Sequence, residues 1–180
     1  MSRVLNYQGK LIDPLNLQES DFNNIGMQAA ITLSRLQRFW GQCRESYTVA
    51  QHCLSMVEMF DDIELKKWAI GHEVYEALTG MDVPSPIKHS DAYLPYKNAE
   101  DKALLMFASI YGLTPPVPEA VKEADRALMV MEAEALMPWN IEVNWRSKSL
   151  PKGKLYKLGA GDDEIRRDFY AKWQELFEGE

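Results

Sequence analysis

The chain has 180 residues, 46% apolar and 26% charged, with a net charge of −7. It is long enough to bury a core as one domain without staples, and its composition is globular. The acidic balance excludes a large nucleic-acid footprint, and no apolar run approaches the ~20 residues that span a bilayer. Cys43 and Cys53 make no disulfide framework, and MSRVLNYQGK lacks the apolar centre of a secretory leader, so the expected location is a reducing cytoplasm.

Turn residues and apolar spacing divide the chain into helical blocks. VLNYQGKLIDPLN, with Tyr7, Gly9 and Asp13–Pro14, reads as a short hairpin or loop. Asp21 or Asn23 is expected to cap a helix through NIGMQAAITLSRLQRF, with Ile25, Ala29, Leu33 and Leu36 on one stripe. A second helix fits Thr48 to Phe60, where Val49, Cys53, Met56, Val57 and Phe60 recur at helical spacing. Asp61–Asp62 breaks it and caps a third, Ile63 to Thr79, which Gly80 ends. MDVPSPIKHSD reads as a loop, with His89 on the surface. Further helices are expected at about Asn98 to Tyr111, at Pro118 to Met137 and at Asp163 to Phe177. PWNIEVNWRSKSLPKGKLYKLGAGD is polar and loop-like, with room for a short strand pair. The fold class is all-α. A single helical domain has its core at about 22–137 and an extension, 138–180, which Trp139, Trp145 and Trp173 dock onto the core or onto a neighbouring subunit.

The chain has three His, and two of them fall on apolar-patterned segments. His52 lies in the second expected helix. His72 lies in the third, next to Glu73 and one turn before Glu76, so His72 and Glu76 share a helix face. Asp125 sits among Val121, Ala124, Leu128 and Met129 on a face that should be core-directed, where a carboxylate must be paired or ligating. Two imidazoles and carboxylates from three helices suit Zn, Mn, Co, Fe or Ni. Taken singly these are weak signals: a helical His is usually packed, and an acidic pair usually a solvated face.

Three blocks sharpen the reading: RFWGQCRESYTVAQH, GHEVYEALTGMDVPSPIK and VKEADRALMVMEAEALM. Together they resemble the HD-domain metal-dependent phosphohydrolases, and most closely the compact phage-type branch of dATP triphosphohydrolases and deoxynucleoside 5′-nucleotidases. The resemblance implies an HD-domain helical bundle with a divalent transition metal on His52, His72, Glu73 and Asp125. It implies Glu76 and Asp82 as outer acids that position or deprotonate water, and Arg38 as a catalytic cation on the phosphoryl group. Lys88 and Lys122 would take the phosphates, joined by an additional Mg, and Phe39 or Trp40 would stack on the base. Arg44 and Arg126 are weaker candidates, Arg126 having Glu123 or Glu132 as an alternative partner. Tyr75, Met81 and Met106 are expected in the core. The partner implied is a small-molecule deoxynucleotide, with no nucleic acid polymer and no membrane, in a homo-oligomer of the bacterial or phage-infected cytoplasm. Two departures stand out. Glu73 replaces the family's Asp, and TGMDVPSP is one residue longer than the family's turn, with Asp82 as the matching acid.

The Lys88 and Lys122 pair leans towards a triphosphate substrate, and the resemblance towards dATP. The competing reactions are triphosphohydrolysis, giving deoxynucleoside and triphosphate, and 5′-monophosphatase action. Outside catalysis, Glu73 could mark a nucleotide-binding protein that has lost its metal, or the His and acids could satisfy one another in a plain helical interaction domain.

Overall fold

The N-terminal segment turns where Gly9 adopts a positive φ of 74°, and β1 (Val4–Leu5) pairs antiparallel with β2 (Leu11–Ile12). Asn6 Oδ1 accepts from the backbone N–H of Gln8 and of Lys10 and so closes the hairpin. These coordinates are a computed structural model that describes residues 3–138 and 153–179. The strand pair considered for the polar segment falls largely on 139–152, outside the described residues, as do Trp139 and Trp145.

Helix α1 (Ile25–Leu33) starts after Asn24, a left-handed residue, rather than after Asp21 or Asn23. It also stops well short of Phe39. Ile25, Ala29 and Leu33 are buried as expected, while Leu36 lies beyond the helix and packs on the core from a loop. Helix α2 (Val49–Val57) opens with a reciprocal cap: Thr48 Oγ1 accepts from Gln51 N–H, and Gln51 Oε1 accepts from Thr48 N–H. Every residue of α2 is buried, so this is the central helix, packed by α1, α3, α7 and α8.

The third expected helix is two. Helix α3 (Ile63–Gly71), capped by Asp62 through Leu65 N–H, ends at His72, and α4 (Val74–Thr79) restarts after Glu73. His72 Nδ1 lies 2.8 Å from the carbonyl of Ala69, which helix termination leaves without its intrahelical donor, so the imidazole donates there and caps the break. The loop after Gly80 contains the short helix α5 (Ser85–Lys88). Helix α6 (Leu94–Tyr111) begins earlier than expected, because Pro95 in its first turn costs no hydrogen bond. Helices α7 (Glu119–Leu136) and α8 (Asp162–Phe177) match their expected spans closely.

The fold is therefore all-α with a small hairpin. Helix α8 belongs to its core: Ile165, Phe169, Trp173 and Leu176 are buried against α1, α2 and α3. Gly26 of α1 is the contact that admits it, since a Cβ there would lie 2.3 Å from Trp173 Nε1. Gly26→Ala is expected to lift α8 and lower stability by about 1–3 kcal/mol, read as a fall in Tm. No helix among the described residues is long and apolar enough to cross a membrane.

Candidate metal centre

Local structure explains how the side chains converge. Helix α2 delivers His52 at its buried centre. The α3–α4 break delivers His72 and Glu73 together, because the chain leaves the helical path there (Glu73 φ −101°, ψ 20°). Arg38 is pinned beside α2 by its own N–H to the Tyr47 carbonyl and by Val49 N–H to the Leu36 carbonyl. Phe39, Trp40 and Gly41 then run through three consecutive positive φ values, an uncommon conformation for two aromatics.

Donor atoms of His52, His72 and Glu73 all lie within 4.8 Å of one another, and the two imidazole rings are 5.4 Å apart. His72 Nε2 is 3.5 Å from Glu73 Oε1. Asp125 Oδ1, from α7, approaches His52 Nε2 to 3.1 Å without the alignment of a hydrogen bond. The side chain of Asp125 is 42% exposed, so it stands at the mouth of the cluster and not in the core as its apolar neighbours suggested.

Hydrogen bonds fix what each group offers. His52 Nδ1 is 2.7 Å from Glu132 Oε1, and His72 Nδ1 faces the Ala69 carbonyl. Both acceptors demand an N–H at Nδ1, which leaves each Nε2 as the atom that could ligate a metal. Among the described residues, four buried side-chain polar atoms lack a hydrogen-bond partner, and three belong here: His52 Nε2, His72 Nε2 and Glu76 Oε2. Buried polar atoms are normally satisfied. The donor set, two imidazole nitrogens with hard carboxylate oxygens, fits a divalent cation such as Zn, Mn, Co, Fe or Ni.

The charges are strongly interdependent. Burial opposes a charge on His52, as does Arg38, yet Glu132 and Asp125 outweigh both and raise its pKa to about 9. Burial would raise Asp125, but His52, His72 and Arg38 hold it well below the usual carboxylate range. Burial would likewise raise Glu73, while His72, Lys88, Arg38 and His52 hold it down. Glu76 goes the other way, pushed well up by burial and then by the charge of Glu73. A metal must displace the proton of His52, so affinity should rise with pH, by about tenfold per unit, and level off above about pH 9. Co2+ titrations between pH 6 and 9 check this; a flat profile would contradict it.

Glu132 is the residue that sequence reasoning missed. It is fully buried and its other oxygen, Oε2, accepts from Arg38 Nε at 3.0 Å and lies 2.9 Å from Nη2. The signal was available, since Glu132 lies two turns after Asp125 on the same helix, but it was weighed only as a partner for Arg126. Arg126 instead pairs with Glu119 at 2.7 Å.

No known family model matches the chain. It is 32% identical to "Uncharacterized protein YfdR" of Escherichia coli (strain K12) over 139 residues, which cover 76% of this chain and 73% of that protein. The chain belongs to the YfdR family.

The remaining candidates of this YfdR-family chain divide into those near the centre and those committed elsewhere. Asp82 is raised by burial and then by Glu73, while Arg38, Lys88 and His52 oppose the rise, which places it in the field of the cluster. Its backbone is held because Trp40 Nε1–H donates to the Asp82 carbonyl at 2.9 Å and Tyr96 O–H to the Met81 carbonyl at 2.8 Å. Trp40, 56% exposed, and Asp82 line a cleft of about 490 Å3 with Leu36, Val83, Ile87 and Tyr93. Phe39 packs beneath the Arg38 guanidinium, 5.7 Å away.

Lys88, expected on the phosphates, forms an ion pair with Glu76 at 3.2 Å and a second with Glu100. Lys122 is exposed on α7, 3.8 Å from Glu119, and Arg44 donates to the Ala135 carbonyl at the end of α7. Met81 lines the cleft and is 42% exposed, against the expectation that it packs in the core; Tyr75 is buried and Met106 partly so. His89 is on the surface, as expected.

Proposed function

We propose that this protein is a metal-dependent phosphohydrolase of the HD-domain type that acts on deoxynucleotides. The observation that carries the reading is the convergence of Glu73 with two buried Nε2 atoms that make no hydrogen bond, with Asp125 3.1 Å from that of His52 and a charged Arg38 alongside. It is the ligand set that the three sequence blocks imply.

His52, His72, Glu73 and Asp125 would hold the metal, which when bound supplies Lewis acidity and acidifies a water. The protein's own residues do the rest. Arg38 keeps its charge because Glu132, Glu73, Asp125 and Asp82 surround it, and its free N–H groups can take a phosphoryl oxygen. Burial and the Glu73 charge raise Glu76 and Asp82 above the ordinary carboxylate value, which suits either to exchange a proton with water or with the leaving oxygen. The Trp40 cleft offers a flat ring and apolar walls of the kind that receive a nucleobase.

The first reading is a dNTP triphosphohydrolase, with dATP favoured by the resemblance, an additional Mg on the phosphates and self-association into a homo-oligomer. One observation favours 5′-monophosphatase action instead: Lys88, counted towards a long phosphate chain, is occupied by Glu76 and Glu100. Incubation with each dNTP and dNMP, with Mn2+, Co2+, Zn2+ or chelator, followed by chromatography, separates them. Metal-dependent release of deoxynucleoside with intact triphosphate supports the first. Phosphate from monophosphates alone supports the second. Binding without turnover under every metal would mark a nucleotide-binding protein and overturn both.

A further inference from the structure

Glu132 has no place in the ligand set, yet it is fully buried between the two groups on which that set depends. Arg38 Nε–H donates to Oε2 at 3.0 Å, and Nη2 lies 2.9 Å from the same oxygen. His52 Nδ1 meets Oε1 at 2.7 Å. A carboxylate held by a guanidinium is an acceptor only, so Nδ1 must carry a hydrogen, and Nε2 is the nitrogen left to give a lone pair to a metal.

We propose that Glu132 is the positioning residue of this centre: it divides its oxygens between Arg38 and His52, fixing His52 in the tautomer that can ligate while holding Arg38 beside it. The inference rests on the reading of His52 as a metal ligand. It goes beyond that reading in predicting a frustrated site when one oxygen is changed. In Glu132→Gln a single acceptor oxygen confronts both the Arg38 guanidinium and the Nδ1–H of His52. If that oxygen stays with Arg38, the amide NH2 faces Nδ1. The imidazole then accepts at Nδ1 and carries its hydrogen on Nε2, where it blocks the metal. Removing Arg38 as well frees the amide oxygen to return to Nδ1–H.

Co2+ binding to the full chain tests this, by calorimetry and by visible absorption, with circular dichroism as the check on folding. Glu132→Gln is expected to bind Co2+ about 10–100-fold more weakly than wild type. The double variant Glu132→Gln/Arg38→Met is expected to recover to within about fivefold of wild type. Recovery on removing a second buried group is the opposite of what a merely structural role would give. Wild-type affinity in Glu132→Gln, or no recovery in the double variant, overturns the proposal while the metal reading stands. Failure of wild type to bind Co2+, Mn2+ or Zn2+ overturns the metal reading and the proposal with it. Should Glu132→Gln not fold, 15N NMR of Zn2+-loaded wild type decides: a proton on His52 Nδ1 is expected, and metal at Nδ1 overturns it.

Discussion

His72→Ala is expected to lower Co2+ affinity by more than about a hundredfold, because losing a ligand should exceed the 10–100-fold typical of losing a ligand's supporting partner. Nε2 of His72 is buried and makes no hydrogen bond within the described protein, while Nδ1 is spent on capping Ala69. The substitution therefore removes a ligand and one cap. The imidazole sits at a helix break with 11% of its side chain exposed, so the fold should survive with a modest loss of about 0.5–2 kcal/mol for the cap. On the proposed function, hydrolysis of deoxynucleotides should fall to the level seen with chelator. Calorimetry with Co2+ beside a thermal melt reads both quantities. An unchanged affinity in a folded variant would remove His72 from the centre and leave the metal reading without its second nitrogen.

Glu76→Gln should separate chemistry from binding. Glu76 is fully buried, with Oε1 on Lys88 and Oε2 facing no hydrogen-bond donor among the described residues. Burial and the adjacent Glu73 charge favour its protonated form, which Gln imitates in shape. Turnover is expected to fall by about 10²–10⁴-fold, the usual worth of a general acid or base. Co2+ affinity should change little, because Glu76 is not among the converging ligands. The stability difference has a sign. A carboxyl raised above its ordinary value of 4.5 stabilises the fold most below that pH and loses the contribution as pH rises through its folded range. Wild type should therefore lose stability relative to Glu76→Gln as pH climbs above about 4.5. Full turnover in the variant would assign the proton transfer elsewhere, with Asp82 the next residue to replace.

Much of this arrangement is written locally. The α2 cap needs only Thr48 and Gln51 three residues apart, and α7 and α8 follow from apolar spacing between clear start and stop signals. His52, His72, Glu73 and Asp125 could be singled out together because three blocks of the sequence resemble a metal-binding family; taken singly each is a weak signal. Local rules fail where the site is. Apolar periodicity runs unbroken from Ile63 to Thr79, yet the helix breaks at His72–Glu73, because the side chain of His72 replaces a backbone donor at the Ala69 carbonyl and frees Glu73 to turn inward.

By itself, then, the sequence determined the helical class, the places of the longer helices and the chemistry of the ligand candidates. These depend on neighbours a few residues apart. Only the tertiary structure decided which charges meet. Lys88 and Glu132 show why: one was expected on the phosphates and is held by Glu76 and Glu100, while the other was expected only as a partner for Arg126 and lies buried between Arg38 and His52. Partners 12, 80 and 94 residues apart leave no periodic trace, since Coulomb attraction and desolvation act through space and not along the chain.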